Sequence, residues 1–129
     1  MSFDKVEYIK LRKESSERTF QAAELLFADN YYNSAVNRLY YACFYIINAL
    51  FVSTGYSAKT HSGNKTVFFE HFIKTKIFER KFGKLYSDLF EARQQGDYDG
   101  YFIFDKETVA DLLPQVKEMI ETIKNYIEK

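Results

Sequence analysis

The sequence is poor in the residues that divide a chain into short elements. Its 129 residues include five glycines and one proline. A sandwich or barrel of short strands needs such residues in a turn about every ten positions, so their scarcity argues against an all-β fold and favours long helices. Tryptophan is absent, but 13 phenylalanines and 11 tyrosines make 19% of the chain aromatic. That many rings can fill a small core or line a surface that meets a partner.

The signals of export and of membrane insertion are also missing. The one cysteine, Cys43, cannot form an intramolecular disulfide and is expected to be a buried, inert thiol. The first ten residues have neither the apolar run nor the cleavage pattern of a secretory signal. The most apolar stretch, Leu39–Val52, has 14 residues, whereas about 18 to 20 cross a bilayer. We therefore predict a cytoplasmic protein with no membrane partner and a core helix at Leu39–Val52.

No cofactor or metal motif is found. His61 and His71 are ten residues apart, and neither has a second histidine or cysteine at a spacing that completes a metal site. The chain also lacks a glycine-rich phosphate loop, a nucleophile elbow and a paired-carboxylate signature. We expect no cofactor and no metal.

Charge is balanced overall but unevenly distributed. The chain has 18 basic and 18 acidic residues. From 59 to 84 there are seven basic residues and two acidic ones, whereas from 97 to 128 there are three basic and eight acidic. The basic segment predicts a local anion-binding face on a neutral body.

Hydrophobic residues recur at three- and four-residue steps, which is typical of amphipathic helices. The segments with this spacing are 4–27, 32–54, 64–75, 82–95 and 105–127. Gly55 and Gly96 are predicted to end the second and fourth helices, and Asp105 to cap the last. We predict a single all-α domain over residues 1–129, folded as an antiparallel up-and-down bundle of four to five helices.

The second predicted helix has a polar side opposite its apolar one. Asparagine and tyrosine recur there at steps of four, four, four and three: Asn33, Asn37, Tyr41, Tyr45 and Asn48. Such groups can hydrogen-bond across a second contact, so we expect this helix to be covered on both sides. Asn37, Tyr41 and Tyr45 are the candidates for a dimer contact or for the lining of a groove.

Two short regions carry candidate binding residues. Lys59, Thr60 and His61 precede a predicted helix, where backbone amides, a lysine and a hydroxyl can surround an anion; alternatively, Thr60 or Ser62 only caps that helix. Farther along, an arginine near a helix end is followed by an acid and a phenol: Arg93, Asp97 and Tyr98. Arg93 can hold a phosphate or form a structural pair with Asp97.

Taken together, these features resemble the HEPN domain family. The resemblance rests on NRLYYA at 37–42, KTHSG at 59–63 and Arg93 with Asp97 and Tyr98, and covers about residues 15–127. It implies a helical bundle that forms a homodimer, often encoded beside a minimal nucleotidyltransferase as a toxin–antitoxin pair. Several branches of the family are metal-independent ribonucleases.

One departure from the family bears on activity. Ribonuclease HEPN domains carry an arginine followed four to six residues later by histidine, and paired copies cleave RNA by attack of its 2′-hydroxyl. Here no histidine follows Arg93 at that distance, and Asp97 would be ionised at neutral pH and repel phosphate. His61 can supply the missing ring only if the fold brings its loop to Arg93.

The sequence thus leaves three functions open. The first is a homodimer that binds nucleotide, RNA or a nucleotidyltransferase through Arg93, Asp97, Tyr98 and the loop at 59–61. The second is a metal-independent endoribonuclease that uses Arg93 with His61 or Tyr98. The third is a scaffold that dimerises through the polar side of the second helix. In the first case Tyr98 is also a candidate for modification by the transferase.

Overall fold

The computed structural model describes residues 3–98 and 103–129, and the side chains of 95–98 lie outside that description. The described residues form five α-helices: α1 (Lys5–Ala28), α2 (Tyr32–Thr54), α3 (His61–Phe68), α4 (Arg80–Tyr98) and α5 (Lys106–Ile127). A π-helical turn at Phe69–Ile73, here called the π segment, continues α3. The described residues contain no strand. The all-α prediction is confirmed.

The helix ends follow from local chemistry. The Asp105 carboxylate accepts a hydrogen bond from the Thr108 amide at 2.8 Å, which satisfies one of the free amides at the start of α5. Gly55 ends α2 in the left-handed conformation, with φ of 88°, which glycine adopts without strain. Both ends agree with the predictions from sequence.

Two ion pairs show the relative direction of α1 and α5. Lys13 Nζ lies 2.5 Å from Glu128 Oε1, and Lys124 Nζ lies 2.8 Å from Glu17 Oε1. Lys13 precedes Glu17 along α1, whereas its partner Glu128 follows Lys124 at the end of α5, so the two helices are antiparallel. The three residues between α1 and α2 reverse the chain, as in an αα-hairpin. The up-and-down bundle is therefore as predicted.

The core is organised around α2. This helix contacts α1, α4 and α5 and contributes eleven buried residues. The buried Ser16 hydroxyl donates to the Ala42 carbonyl at 2.7 Å, which ties α1 to α2. By length and hydropathy α2 is also apolar enough to cross a bilayer, but 61% of its apolar window is buried inside the protein. It is the core helix that the sequence indicated.

Two predicted boundaries differ most from the structure. Gly96 does not end the fourth helix, because α4 continues to Tyr98; a glycine inside a helix costs only about 1 kcal/mol, which neighbouring turns can offset. The third helix begins at His61 rather than Asn64, and its second half is the π segment. His61 therefore lies in the first turn of a helix and not in a loop.

Candidate functional site

Two consecutive tyrosines on α2 form the centre of the candidate site. Tyr40 is fully buried, and its ring stacks on Tyr86 of α4, with centroids 5.7 Å apart and planes 3° from parallel. Neighbouring side chains on a helix point in different directions. Tyr41 accordingly lies half-buried at the edge of the contact between α2 and α4.

Arg93 of α4 lies against these rings. Its guanidinium carbon is 5.0 Å from the ring centre of Tyr40, 5.8 Å from that of Tyr41 and 6.0 Å from that of Phe90. Nη1 also donates a long hydrogen bond of 3.4 Å to the Tyr41 hydroxyl. The negative faces of the rings attract the cation and fix its position.

His61 reaches the same tyrosines from α3. Thr60 caps this helix by accepting a hydrogen bond from the Gly63 amide at 2.8 Å. The His61 ring lies 4.6 Å from the ring of Phe44, and its Nδ1 is 2.9 Å from the Tyr40 hydroxyl. Because Nδ1 is engaged, Nε2 is the ring nitrogen available to a ligand.

The charge of Arg93 reaches His61. Burial lowers the pKa of His61, and the positive charge of Arg93 lowers it further. Burial also raises the pKa of Tyr40 to about 12. At neutral pH the site therefore presents a neutral imidazole and a neutral phenol beside a permanent cation. The fold brings His61 to Arg93 within one subunit, the condition that the sequence left open.

A cleft of about 390 Å³ opens beside Arg93. Its lining residues come from α1, α2 and α4: Leu26, Asn33, Ser34, Asn37, Arg38, Ala92 and Arg93. Arg38 places its guanidinium carbon 5.2 Å from the ring centre of Tyr41, and its Nε donates to Asn37 Oδ1 at 3.1 Å. Both arginines contact the ring of Tyr41, and both line the cleft, which makes the cleft suited to an anionic ligand.

The other predicted site residues lie around this centre. Lys59 is exposed in the loop before α3, and Thr60 serves as the helix cap that the sequence offered as an alternative role. Asn37 lines the cleft. Tyr45 lies half-buried, 6.2 Å from the ring of Tyr41, and carries the Arg12 guanidinium 5.4 Å above its own ring.

Asp97 and Tyr98 were predicted to act with Arg93. Both belong to the last turn of α4. Their side chains lie outside the described residues.

Sequence reasoning missed three contributors: Tyr40, Arg38 and Phe44. Tyr40 and Arg38 lie inside the NRLYYA run at 37–42, and Arg38 precedes Tyr41 by three positions, so the two share a helix face. That spacing was a usable signal. The contact of Phe44 with His61 depends on how α3 packs, and no spacing along the chain predicts it.

Metal ligands do not gather in the described part of the chain. Among residues 3–98 and 103–129, no three histidine, cysteine, aspartate or glutamate side chains come together in a way that would hold an ion.

These features place the chain in the class of all-α bundles, with an arginine and a histidine held against a tyrosine pair. Comparison with known families identifies which family. The HEPN domain family matches residues 9–126, and this chain belongs to it.

Several relatives are similar over most of their length. A UPF0332 protein of Thermotoga maritima is 34% identical over 97% of this chain and 95% of its own. A Methanocaldococcus jannaschii protein named "Putative toxin MJ0142" is 31% identical over 88% of this chain and 78% of its own. A second toxin-named protein of that organism is 30% identical over 71% of this chain and 69% of its own.

Proposed function

We propose that this HEPN domain protein is the RNA-binding member of a toxin–antitoxin pair. RNA binds through a phosphate between Arg93 and His61. The observation that carries the proposal is the convergence of these two side chains on Tyr40 and Tyr41. Arg93 also lines the cleft. The names of the two archaeal relatives support the toxin role.

The chemistry of the site suits RNA. A guanidinium binds phosphate oxygens through paired N–H groups, and Arg38 supplies a second such group against the ring of Tyr41. Sequence-selective RNA recognition uses unstacked bases that lie on aromatic rings. Tyr41 is a half-buried ring beside Arg93 and Arg38, and Phe44 is a half-buried ring beside His61.

The family resemblance also supplies the partners in this proposal. The protein forms a homodimer in the cytoplasm. A minimal nucleotidyltransferase inhibits it, with Tyr98 as the candidate for modification. Asn37, Tyr41 and Tyr45 are half-buried in the single chain, so a second copy has surface there to cover. Light scattering should give twice the 15.3 kDa mass of one chain; the mass of a monomer at micromolar concentration would contradict the homodimer.

The binding role is tested by removing the guanidinium. Arg93→Ala should weaken RNA binding about tenfold to a hundredfold, because a hydrogen bond to a charged group contributes about 1.5 to 3 kcal/mol. Arg18→Ala removes the same charge from an exposed position of α1 and is the matched control. Calorimetric titration measures both, with circular dichroism to check helicity. Equal affinity of Arg93→Ala and the control would contradict the proposal.

A second candidate function is a metal-independent endoribonuclease. The observation in its favour is that burial and Arg93 keep His61 neutral near pH 7, with Nε2 available for proton transfer. In such a reaction the 2′-oxygen of the RNA attacks the adjacent phosphorus, and the 5′-oxygen of the next nucleotide leaves with a proton. The products are a 2′,3′-cyclic phosphate and a 5′-hydroxyl.

Incubation with tRNA in the presence of a chelator tests this candidate. Cleavage by the wild-type protein, with cyclic phosphate ends and loss of activity in His61→Gln, is the expected result. Intact tRNA after incubation with wild-type protein would leave binding as the function of the site and remove the nuclease.

A further inference from the structure

A larger groove lies next to the Arg93 site, between the first half of α4 and the segment formed by α3 and the π segment. Its volume is about 690 Å³. The apolar part of its lining consists of Phe68, Phe69, Gly83 and Tyr86. Its basic part consists of Lys65, Arg80, Lys81 and Lys84, with Glu70 and Asp88 as the acidic members. The lining of the groove thus combines apolar side chains with mainly basic ones.

Two of the four basic side chains have carboxylate partners. Lys84 Nζ lies 2.7 Å from Asp88 Oδ2, and Lys81 Nζ lies 2.5 Å from Glu118 Oε1. These pairs neutralise part of the basic lining and leave Arg80 and Lys65 as the cations that define its charge.

Arg80 and Lys65 have no carboxylate partner within the part of the chain that the structure describes. Arg80 is the first residue of α4, and the first turn of that helix contains no acidic residue. A helix N-terminus carries partial positive charge, so a cation there is unfavourable by about 0.3 to 1 kcal/mol. A bound phosphate would relieve this repulsion.

Phe69 gives the groove a ring that faces solvent. It begins the π segment and is 50% exposed, although the neighbouring Phe68 is buried. π-helical turns occur frequently at functional sites. Base stacking on such a ring contributes about 1 to 3 kcal/mol per base and tolerates any base.

The buried ring of Phe90 lies between a lysine of the groove and Arg93. Lys65 Nζ lies 4.4 Å above the ring centre of Phe90. The same ring lies 6.0 Å from the guanidinium carbon of Arg93 and 6.2 Å from the ring of Tyr40. Lys65 is therefore the basic residue of the groove that shares a ring contact with Arg93.

Gly83 allows the groove to have this shape. A Cβ atom at this position would lie 3.1 Å from both γ-carbons of Ile73, so α4 approaches the π segment as closely as it does because residue 83 has no side chain.

We propose that the ligand is a single-stranded RNA of several nucleotides, and that this groove holds the nucleotides flanking the one at Arg93. Lys65 and Arg80 bind phosphates, and Phe69 stacks on a base. This inference rests on the proposed function, because it extends the same bound strand.

Binding of a uridine dinucleotide and a uridine octanucleotide tests the inference. Fluorescence anisotropy on the full chain should show at least tenfold tighter binding of the octanucleotide by wild type. Arg80→Glu and Phe69→Ala should abolish this gain with length and leave affinity for the dinucleotide within twofold. Arg18→Glu, the matched charge reversal on α1, should keep both affinities. The logarithm of the binding constant falls linearly with the logarithm of the salt concentration. The slope of this line should become shallower by about 0.7 for each phosphate that a variant no longer binds.

Arg93→Ala separates this inference from the proposed function. This variant should bind both oligonucleotides more weakly than wild type, since both use the Arg93 site. Sensitivity of the octanucleotide to Arg80→Glu with no sensitivity to Arg93→Ala would support the groove and refute the function proposed for Arg93. If Arg80→Glu and Phe69→Ala fold and bind the octanucleotide with wild-type affinity, the proposed role of the groove is refuted, and the function proposed for Arg93 is not affected. A change in molecular mass caused by Arg80→Glu would also refute that role of the groove, because the groove would then be an interface between copies.

Discussion

Two helix contacts in this bundle hold their cations in different ways. Between α1 and α5, Lys13 pairs with Glu128 and Lys124 pairs with Glu17, near the surface. Between α2 and α4, Arg93 lies over the rings of two tyrosines. The first contact places a carboxylate against each lysine, whereas the second places ring faces against a guanidinium.

On the function proposed above, the difference separates a structural contact from a binding one. A carboxylate neutralises a lysine, and an exposed pair of this kind contributes little to stability. A ring covers one face of a guanidinium, whereas hydrogen-bond acceptors approach its N–H groups in the plane of the group. The contact between α2 and α4 can therefore support the fold and bind a ligand with the same side chains.

The largest expected effect is on stability at the aromatic contact. Tyr40→Ala should lower the free energy of unfolding by about 3 to 5 kcal/mol, the usual range for removing a buried aromatic ring. Tyr40 is fully buried and packs against Tyr86, Phe90 and His61. Urea denaturation measures the change. A decrease below about 1 kcal/mol would show that the ring is not a structural centre of this contact.

The next effect concerns the geometry of the guanidinium. Arg93→Lys keeps the charge but removes the planar pair of donors, so RNA affinity should fall about tenfold, equivalent to about 1.4 kcal/mol. Lys13→Arg, which changes the head group at the contact between α1 and α5, is the control and should leave affinity unchanged. If Arg93→Lys binds RNA as tightly as wild type, positive charge alone accounts for the affinity of the site.

A smaller effect is expected in the dependence of stability on pH. The pKa of His61 is lower in the folded protein than in the unfolded chain, so the unfolded chain binds the proton more readily. Stability should therefore fall as the pH drops through the unfolded value near 6.5. His61→Gln should flatten this fall between about pH 7.5 and 5, measured as the urea midpoint, and His71→Gln serves as the matched control. The same slope in both variants would contradict the assignment.

The smallest effect is expected at the ion pairs. Lys13→Ala should leave the melting temperature unchanged within error at physiological salt, because water and ions screen an exposed pair. Differential scanning calorimetry is the measurement. A decrease of several degrees would show that the packing of α1 on α5 depends on its charges, and the contrast between the two helix pairs would disappear.

The sequence was sufficient for the fold but not for the site. The bounds of α2 at Tyr32 and Thr54 were predicted correctly, because Gly55 and the apolar spacing are local signals. The meeting of His61 with Arg93 was not predictable, since it depends on where α3 begins and how it packs on Phe44. The start of α3 is set by the Thr60 cap, which the sequence offered only as one alternative. The π segment also had no signal in the spacing of its apolar residues.

The most direct test of the central claim is the titration of His61 by nuclear magnetic resonance in wild type and in Arg93→Ala, each with and without an RNA oligonucleotide. The shared site predicts that the pKa of His61 rises in Arg93→Ala, because a neighbouring positive charge is removed. It also predicts that RNA raises this pKa in the wild type, because the phosphate brings negative charge to the ring. An identical His61 titration in all four samples would contradict the claim that His61 and Arg93 form one RNA-binding site.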